Sequence, residues 1–215
     1  MTTIQNSKQM RFLITAGGTR EYLDPVRYIT NASSGRMGYA LAAAALKAGH
    51  AVTLISAPTS LRPPTGAKVI WVVSAKDMFI AVKKHFKACD CLIMAAAVSD
   101  YTPIDTAKVK RKKEPKMLTL KLKPTEDILA WAGRHKKRQI VVGFALEDRN
   151  LKRNAEKKLI SKNADMIVAN GPAAIGADSS RVVLKTLQGG WIEIAGDKAK
   201  TARAIIRHIT SLIAR

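Results

Sequence analysis

Arg20, Arg27, Asn31, Ser33, Ser34 and Arg36 fall within one glycine-bearing stretch, TAGGTREYLDPVRYITNASSGRMG, at residues 15–38. Guanidinium, amide and hydroxyl groups at that density are donors suited to phosphate or carboxylate oxygens. The stretch follows a short apolar run, Arg11 to Ile14, that reads as a buried strand. It leads into an alanine-rich run at residues 39–48 that reads as a helix. Strand, glycine loop and helix N-terminus in that order make an anion site. The first N–H groups of a helix have no partner within it, and the helix dipole adds partial positive charge there. Gly17 and Gly18 end the strand, Ser33 or Ser34 is the expected N-cap, and Gly38 would let the helix lie close to the sheet. The spacing is neither GxGxxG nor a Walker GxxxxGK loop, so an ordinary turn before a capped helix remains an alternative for the glycines alone.

Other residues could carry chemistry. In AAAVSDY at residues 95–101, three alanines would let a base or sugar approach the backbone, and alanine is otherwise depleted in strands. Asp100 could accept from a ribose or base, sit near Mg2+, or form an Asx turn. The run KVKRKK at residues 108–113 would put Lys108 and Lys110 on one face of an extended arm, although charge runs are commonly solvated loop. Phe144 could stack on a base or belong to the core. Lys158 and Lys162 share a helical face; two like charges there repel unless an anion sits between them, and both could simply face solvent. His50, His85, His135 and His208 are scattered without metal-ligand spacing. Cys89 and Cys91 sit as CxC at a strand edge, pointing to opposite faces, and are expected as reduced thiols.

The elements that must position these groups alternate. Strands are expected at Arg11–Ala16, Ala51–Ser56, 69–73, 90–97, 117–123, 139–144 and 166–169, with a hairpin at 181–187 and 190–194. Helices are expected at 35–48, ending before Gly49; at 75–87, capped by Ser74 with Asp77 in its first turn; from Thr125; at 150–163; and from Asp197 onward. Residues 99–116 read as polar and irregular. Strand–helix alternation implies an α/β, Rossmann-like, doubly wound and mainly parallel sheet. Ligands in such sheets bind beyond the C-terminal strand ends, where Gly17, Ala96 and Phe144 are expected to fall. A chain of 215 residues with 47% hydrophobic content supports a single domain over 1–215.

The motifs together resemble the phosphopantothenoylcysteine synthetases of coenzyme A biosynthesis. TAGGTRE, DPVRYITNASSGRMGYALA, AAAVSDY, KVKR, GFALE and the spaced lysines of residues 150–170 occur in the family's order across nearly the whole chain. The resemblance implies a nucleotide-driven ligation of 4′-phosphopantothenate with L-cysteine through an acyl-nucleotide. CTP is implied rather than ATP, on KVKR and GFALEDRNLKRNAEKKL, with Mg2+. It implies catalytic roles for Asn31 and for Lys108, the flap lysine, and puts Arg27, Asn31 and Ala97 on the substrate. Nucleotide contacts are implied for Gly17, Ser34, Gly35, Met37, Met94, Ala95, Ala96, Asp100, Lys108, Thr125, Glu126, Asp127, Ile128, Phe144, Lys158 and Lys162. No protein metal-ligand set is implied. Arg111 stands where the family has lysine, Ser99 where it commonly has alanine, and Glu126 where it has proline. Family members are homodimers whose flap, here about residues 102–123, reaches the partner's site. The chain has no room for the upstream decarboxylase domain of the bifunctional form, so a separate phosphopantothenoylcysteine decarboxylase is expected.

Two other classes fit the sequence less well. A Rossmann oxidoreductase needs GxGxxG and an acidic residue ending the second strand, which here ends at Ser56. A nucleic-acid-binding module fits the net charge of +21, but 5% aromatic content and the lack of a recognition motif weigh against specific nucleic acid. No apolar run of membrane-spanning length and no signal segment is seen, so a cytoplasmic protein is expected.

Overall fold

A computed structural model describes residues 9–113, 115, 117–174 and 179–213. Residues 114 and 116, within the expected arm, and the polar residues 1–8 lie outside the described set. The elements run β1 (Arg11–Ala16), β2 (Arg20–Tyr22), β3 (Tyr28–Thr30), α1 (Arg36–Lys47), β4 (Ala51–Ser56), β5 (Lys68–Trp71), α2 (Ala75–Phe86), β6 (Cys91–Met94), β7 (Tyr101–Pro103) and β8 (Leu122–Pro124). They continue with α3 (Ile128–His135), β9 (Ile140–Leu146), α4 (Leu151–Ser161), β10 (Met166–Asn170), β11 (Ser179–Thr186), β12 (Ile192–Asp197) and α5 (Lys198–Ile213).

One sheet has the order β12-β11-β10-β9-β6-β1-β4-β5. It is parallel from β5 to β10 and closes with the antiparallel β11 and β12. The chain steps from β1 outward through β4 and β5, then returns to β6 on the other side of β1. That reversal opens a crevice at the C-terminal ends of β1 and β6.

Alternation along the strands supplies two apolar faces. Phe12, Ile14, Leu54, Ile93 and Val142 pack with Leu41 of α1 and Ile205 and Ile209 of α5. Leu13, Leu92, Val141 and Ile167 pack with Met78 of α2, Leu129 of α3 and Leu159 of α4. Central strands covered on both faces read as continuous apolar runs, and β6 is buried at all its positions.

Some expectations need correction. The segment 117–123 is strand only at Leu122–Pro124, paired with the three-residue β7. Leu118, Leu120 and Leu122 are exposed, so its alternation meets no sheet face in this chain. Residue 125 does not open a helix. Thr125 bonds backward, its N–H to Asp100 O at 2.9 Å and its Oγ1 to Ser99 O at 2.6 Å, and Asp127 caps α3 instead. β6 stops at Met94, because Ala96 N–H turns to Thr15 Oγ1 at 3.1 Å and Ala97 bridges to Gly18. The β2–β3 hairpin, inside the first loop, was not expected.

Candidate active site

The loops beyond β1, β6 and β9 and the starts of α1 and α3 surround a cavity of about 730 Å³. Asn31, Ser33, Ser34 and Gly35 form one wall, with Met37 from the first turn of α1. Gly35, not a serine, is the N-cap of α1; it has φ 76° and no side chain to cap with, while Ser34 Oγ accepts from Arg36 N–H at 3.5 Å. A left-handed backbone there suits glycine. The later N–H groups of the first turn have no intrahelical partner and can face an anion. A Cβ on Gly35 would lie 3.2 Å from Gly17 N, and one on Gly17 would lie 2.7 Å from Ala57 O. Gly17 therefore shapes the loop from beneath and is not a lining residue.

A second wall comes from Met94, Ala95, Ala96, Ala97 and Asp100. It is stitched to the first loop: Ala97 N–H donates to Gly17 O at 2.9 Å, and Ser99 N–H to Thr19 Oγ1 at 2.9 Å. Asn31 crosses between the walls, its Nδ2 donating to Val98 O at 3.1 Å and Ala97 O at 3.4 Å.

Thr125, Glu126, Asp127 and Ile128 form a third side, and Phe144, Lys158 and Lys162 the fourth. The Asp127 carboxylate accepts from Ala130 N–H at 2.8 Å and meets Lys162 Nζ at 2.6 Å. Burial pushes its pKa up, but the hydrogen bonds from Lys162 and Ala130 and the charges of Lys162 and Lys158 outweigh that and hold it below the usual value. Lys158 Nζ donates to Phe144 O at 2.8 Å. Burial pulls the Lys158 pKa down, against the negative charges of Glu147, Asp127 and Asp100, while Lys162 lowers it further. The repulsion expected between Lys158 and Lys162 is thus relieved by separate partners, a carbonyl and a carboxylate.

Two expected site residues, besides Gly17, do not line the cavity. Arg27 lies in the β2–β3 turn with its guanidinium on Asp24 and on Arg111 O. Lys108 is exposed on the arm after β7. Conversely, Leu146, Asn170 and Lys198 line the cavity and were not singled out from sequence. Asn170 ends β10, so the strand-end rule that flagged Phe144 would have flagged it too.

Among the described residues, no three His, Cys, Asp or Glu side chains gather as a metal site. Asp100 and Glu126 supply carboxylates to the wall, which suits Mg2+ carried on phosphates, since that ion commonly takes one or two carboxylates plus substrate oxygens. Cys89 and Cys91 are buried thiols away from the cavity. Burial pushes Cys89 up to about 12 and Cys91 well above its ordinary value. No helix among the described residues is long and apolar enough to cross a membrane.

A doubly wound, mainly parallel sheet whose helix start and two lysines line one switch-point crevice defines a Rossmann-like α/β protein. More particularly, the chain belongs to the family of the DNA/pantothenate metabolism flavoprotein C-terminal domain, whose model matches residues 7–213. It is 50% identical over 177 residues to the coenzyme A biosynthesis bifunctional protein CoaBC of Bacillus subtilis (strain 168), covering 80% of this chain and 44% of that one. The chain thus spans about half the length of the curated relatives it matches. Among solved structures, the C-terminal domain of a coenzyme A biosynthesis bifunctional protein CoaBC superposes with TM-score 0.85 at 40% identity, covering 98% of this chain and 99% of that one. The DNA/pantothenate metabolism flavoprotein from Streptococcus pneumoniae superposes with TM-score 0.83 at 28% identity, covering 94% and 99%.

Proposed function

We propose that the protein is a phosphopantothenate–cysteine ligase of coenzyme A biosynthesis that uses a nucleoside triphosphate, CTP in preference to ATP. The observation that carries this reading is the union of the NASSG, AAAVSD and TEDI segments with Phe144, Lys158 and Lys162 around one crevice. Anion-binding groups stand on two sides of it. The start of α1 offers backbone N–H groups, and Lys158 and Lys162 offer ammonium groups. A triphosphate and a phosphorylated carboxylic acid together need more than one such pole.

In the proposed reaction a carboxylate oxygen of 4′-phosphopantothenate attacks the α-phosphorus of the nucleotide. The α–β P–O bond breaks and pyrophosphate leaves. The amine of L-cysteine then attacks the acyl carbon, loses a proton as the C–N bond forms, and expels the nucleoside monophosphate. Such steps depend on alignment and charge stabilisation more than on a strong base. Mg2+ would supply charge neutralisation to the phosphates, with Asp100 and Glu126 as the wall carboxylates to meet it. Asn31 lies between the two loops where the acyl group would sit. Lys108 would serve the activated carboxyl from the arm of a partner copy in a homodimer. In this reading the decarboxylase is the neighbouring activity in the pathway.

Pyrophosphate release tests the proposal. Purified protein with Mg2+, phosphopantothenate and cysteine should release pyrophosphate with CTP, and with a higher kcat/KM than with ATP. No release with any nucleotide would sink the ligase reading, and equal or better use of ATP would sink the CTP preference.

A further inference from the structure

Asp24 is a carboxylate with 0% exposure in the turn between β2 and β3. Its two oxygens do different things. Oδ1 accepts from the N–H groups of Val26 and Arg27, each at 2.9 Å, which is the local geometry of an Asx turn. Oδ2 reaches outward. It accepts from Arg27 Nε at 2.9 Å and from Arg111 N–H at 3.2 Å. The same Arg27 guanidinium donates to Arg111 O. Both backbone groups of Arg111 are therefore held by one acid–base pair. Nearer the start of the arm, Thr106 Oγ1 donates to Tyr22 O at 3.1 Å and Ala107 N–H to Leu23 O at 3.0 Å. Contacts to the hairpin thus flank Lys108 on both sides, and Lys108 itself stays exposed.

A turn alone does not need a buried charge. Taking a carboxylate out of water is costly unless every lone pair finds a donor, and here the donor that completes the set, Arg111 N–H, comes from the arm. Burial pushes the Asp24 pKa up, but the hydrogen bonds from the Arg27 side chain and from Val26, Arg111 and Arg27 N–H hold it well below the carboxylate range. The clasp therefore stays ionised near neutrality.

We propose that Asp24 is a positioning residue: through Arg27 and Arg111 it fixes the root of the basic arm to the β2–β3 turn of its own subunit, and so sets the pivot from which Lys108 is presented to the reacting groups. The catalytic half of this statement rests on the ligase reading above; the anchoring half does not.

Hydrogen exchange read by mass spectrometry on the intact protein tests the anchor. In Asp24→Asn the peptide covering residues 104–113 should exchange roughly tenfold faster or more, while peptides from β1 and β9 keep their protection. Arg111→Pro, at an exposed position, removes the N–H that reaches Asp24 and serves if Asp24→Asn does not fold, with Arg111→Ala as the control for loss of the side chain. Both variants should lower kcat by about 10²-fold, with a smaller change in nucleotide KM, as expected for a misplaced group. Combined with Lys108→Ala, they should cost little more than Lys108→Ala alone. Unchanged exchange at 104–113 in folded variants overturns the anchor. Faster exchange with wild-type kcat overturns the positioning role. If the wild-type protein makes no product at all, the ligase reading falls, and the exchange result still decides the anchor.

Discussion

Asn31 holds its carboxamide in an orientation fixed by its partners. Ala97 O and Val98 O can only accept, so Nδ2 faces them and Oδ1 is directed away. In this arrangement its donors are already engaged, and an acceptor remains, suited to an amine nucleophile. Asn31→Asp would force a carboxylate against two carbonyl oxygens. We expect amide synthesis to fall by about 10²–10³, the scale of losing one well-placed polar group, while acyl-nucleotide formation falls less. Rapid-quench measurement of both steps checks this, and cysteine coupling at the wild-type rate would remove Asn31 from the mechanism. Lys158 gives a pH signature. Its folded pKa lies below 10.5, chiefly through burial, so between those two values the unfolded chain binds more protons and stability rises with pH. A bound triphosphate favours the charged form. Nucleotide affinity should therefore weaken as pH climbs through that window, and Lys158→Arg should flatten the alkaline limb. Calorimetric Kd values from neutral pH to 10.5 test it; a flat wild-type profile would detach Lys158 from the phosphates.

At the scale of elements, α2 offers a change that should affect stability without chemistry. Ser74 Oγ accepts from Asp77 N–H at 3.1 Å, and the Asp77 carboxylate accepts from Ser74 N–H at 2.9 Å. No residue of this helix lines the cavity. Ser74→Ala should cost about 1 kcal/mol, lowering Tm by roughly 2–4 °C in a chain of this size, with kcat unchanged; calorimetry and the pyrophosphate assay together check it. That capping box was legible because Ser74 and Asp77 stand three apart ahead of an apolar-periodic run. β1 and β4 were legible to the residue because both faces of a central strand are covered. The β2–β3 hairpin was not, since its three-residue strands carry too little pattern to stand out from a loop. Residues 117–123 showed the opposite failure: clean alternation, but only β7 to pair with. In the site, strand-end placement foretold Ala96; Phe144 lines the cavity from within β9, which runs on to Leu146 rather than ending at 144. Such placement could not foretell that Lys158 would bond Phe144 O or that Arg27 would turn to Asp24, because the first depends on how α4 packs on β9 and the second on the path of a single turn.

Across the whole molecule, the arm is the part that one chain leaves unfinished. Val109 is 74% exposed and Met117 95%, and Leu118, Leu120 and Leu122 are also open to solvent. Apolar groups clustered on one extension point to a contact surface, and an arm rooted in its own subunit by Asp24 can reach a neighbour without losing its pivot. The proposed homodimer gives those groups a place to pack and gives Lys108 an active site to enter. Lys108→Ala should reduce turnover strongly and leave folding and dimerisation nearly unchanged, because exposed side chains contribute little stability. If the arm acts in trans, Lys108→Ala and Asn31→Asp damage different halves of a composite site. A mixed dimer then keeps one intact site, made of Asn31 from one subunit and Lys108 from the other. Random exchange makes about half the dimers mixed, so two inactive proteins combined in equal amounts should regain roughly a quarter of wild-type activity. Light scattering establishes the dimer, and mass spectrometry of differently tagged subunits establishes exchange. Mixtures that exchange fully yet stay inactive would show that the arm serves its own subunit, since Lys108 from one copy would then never meet Asn31 from the other.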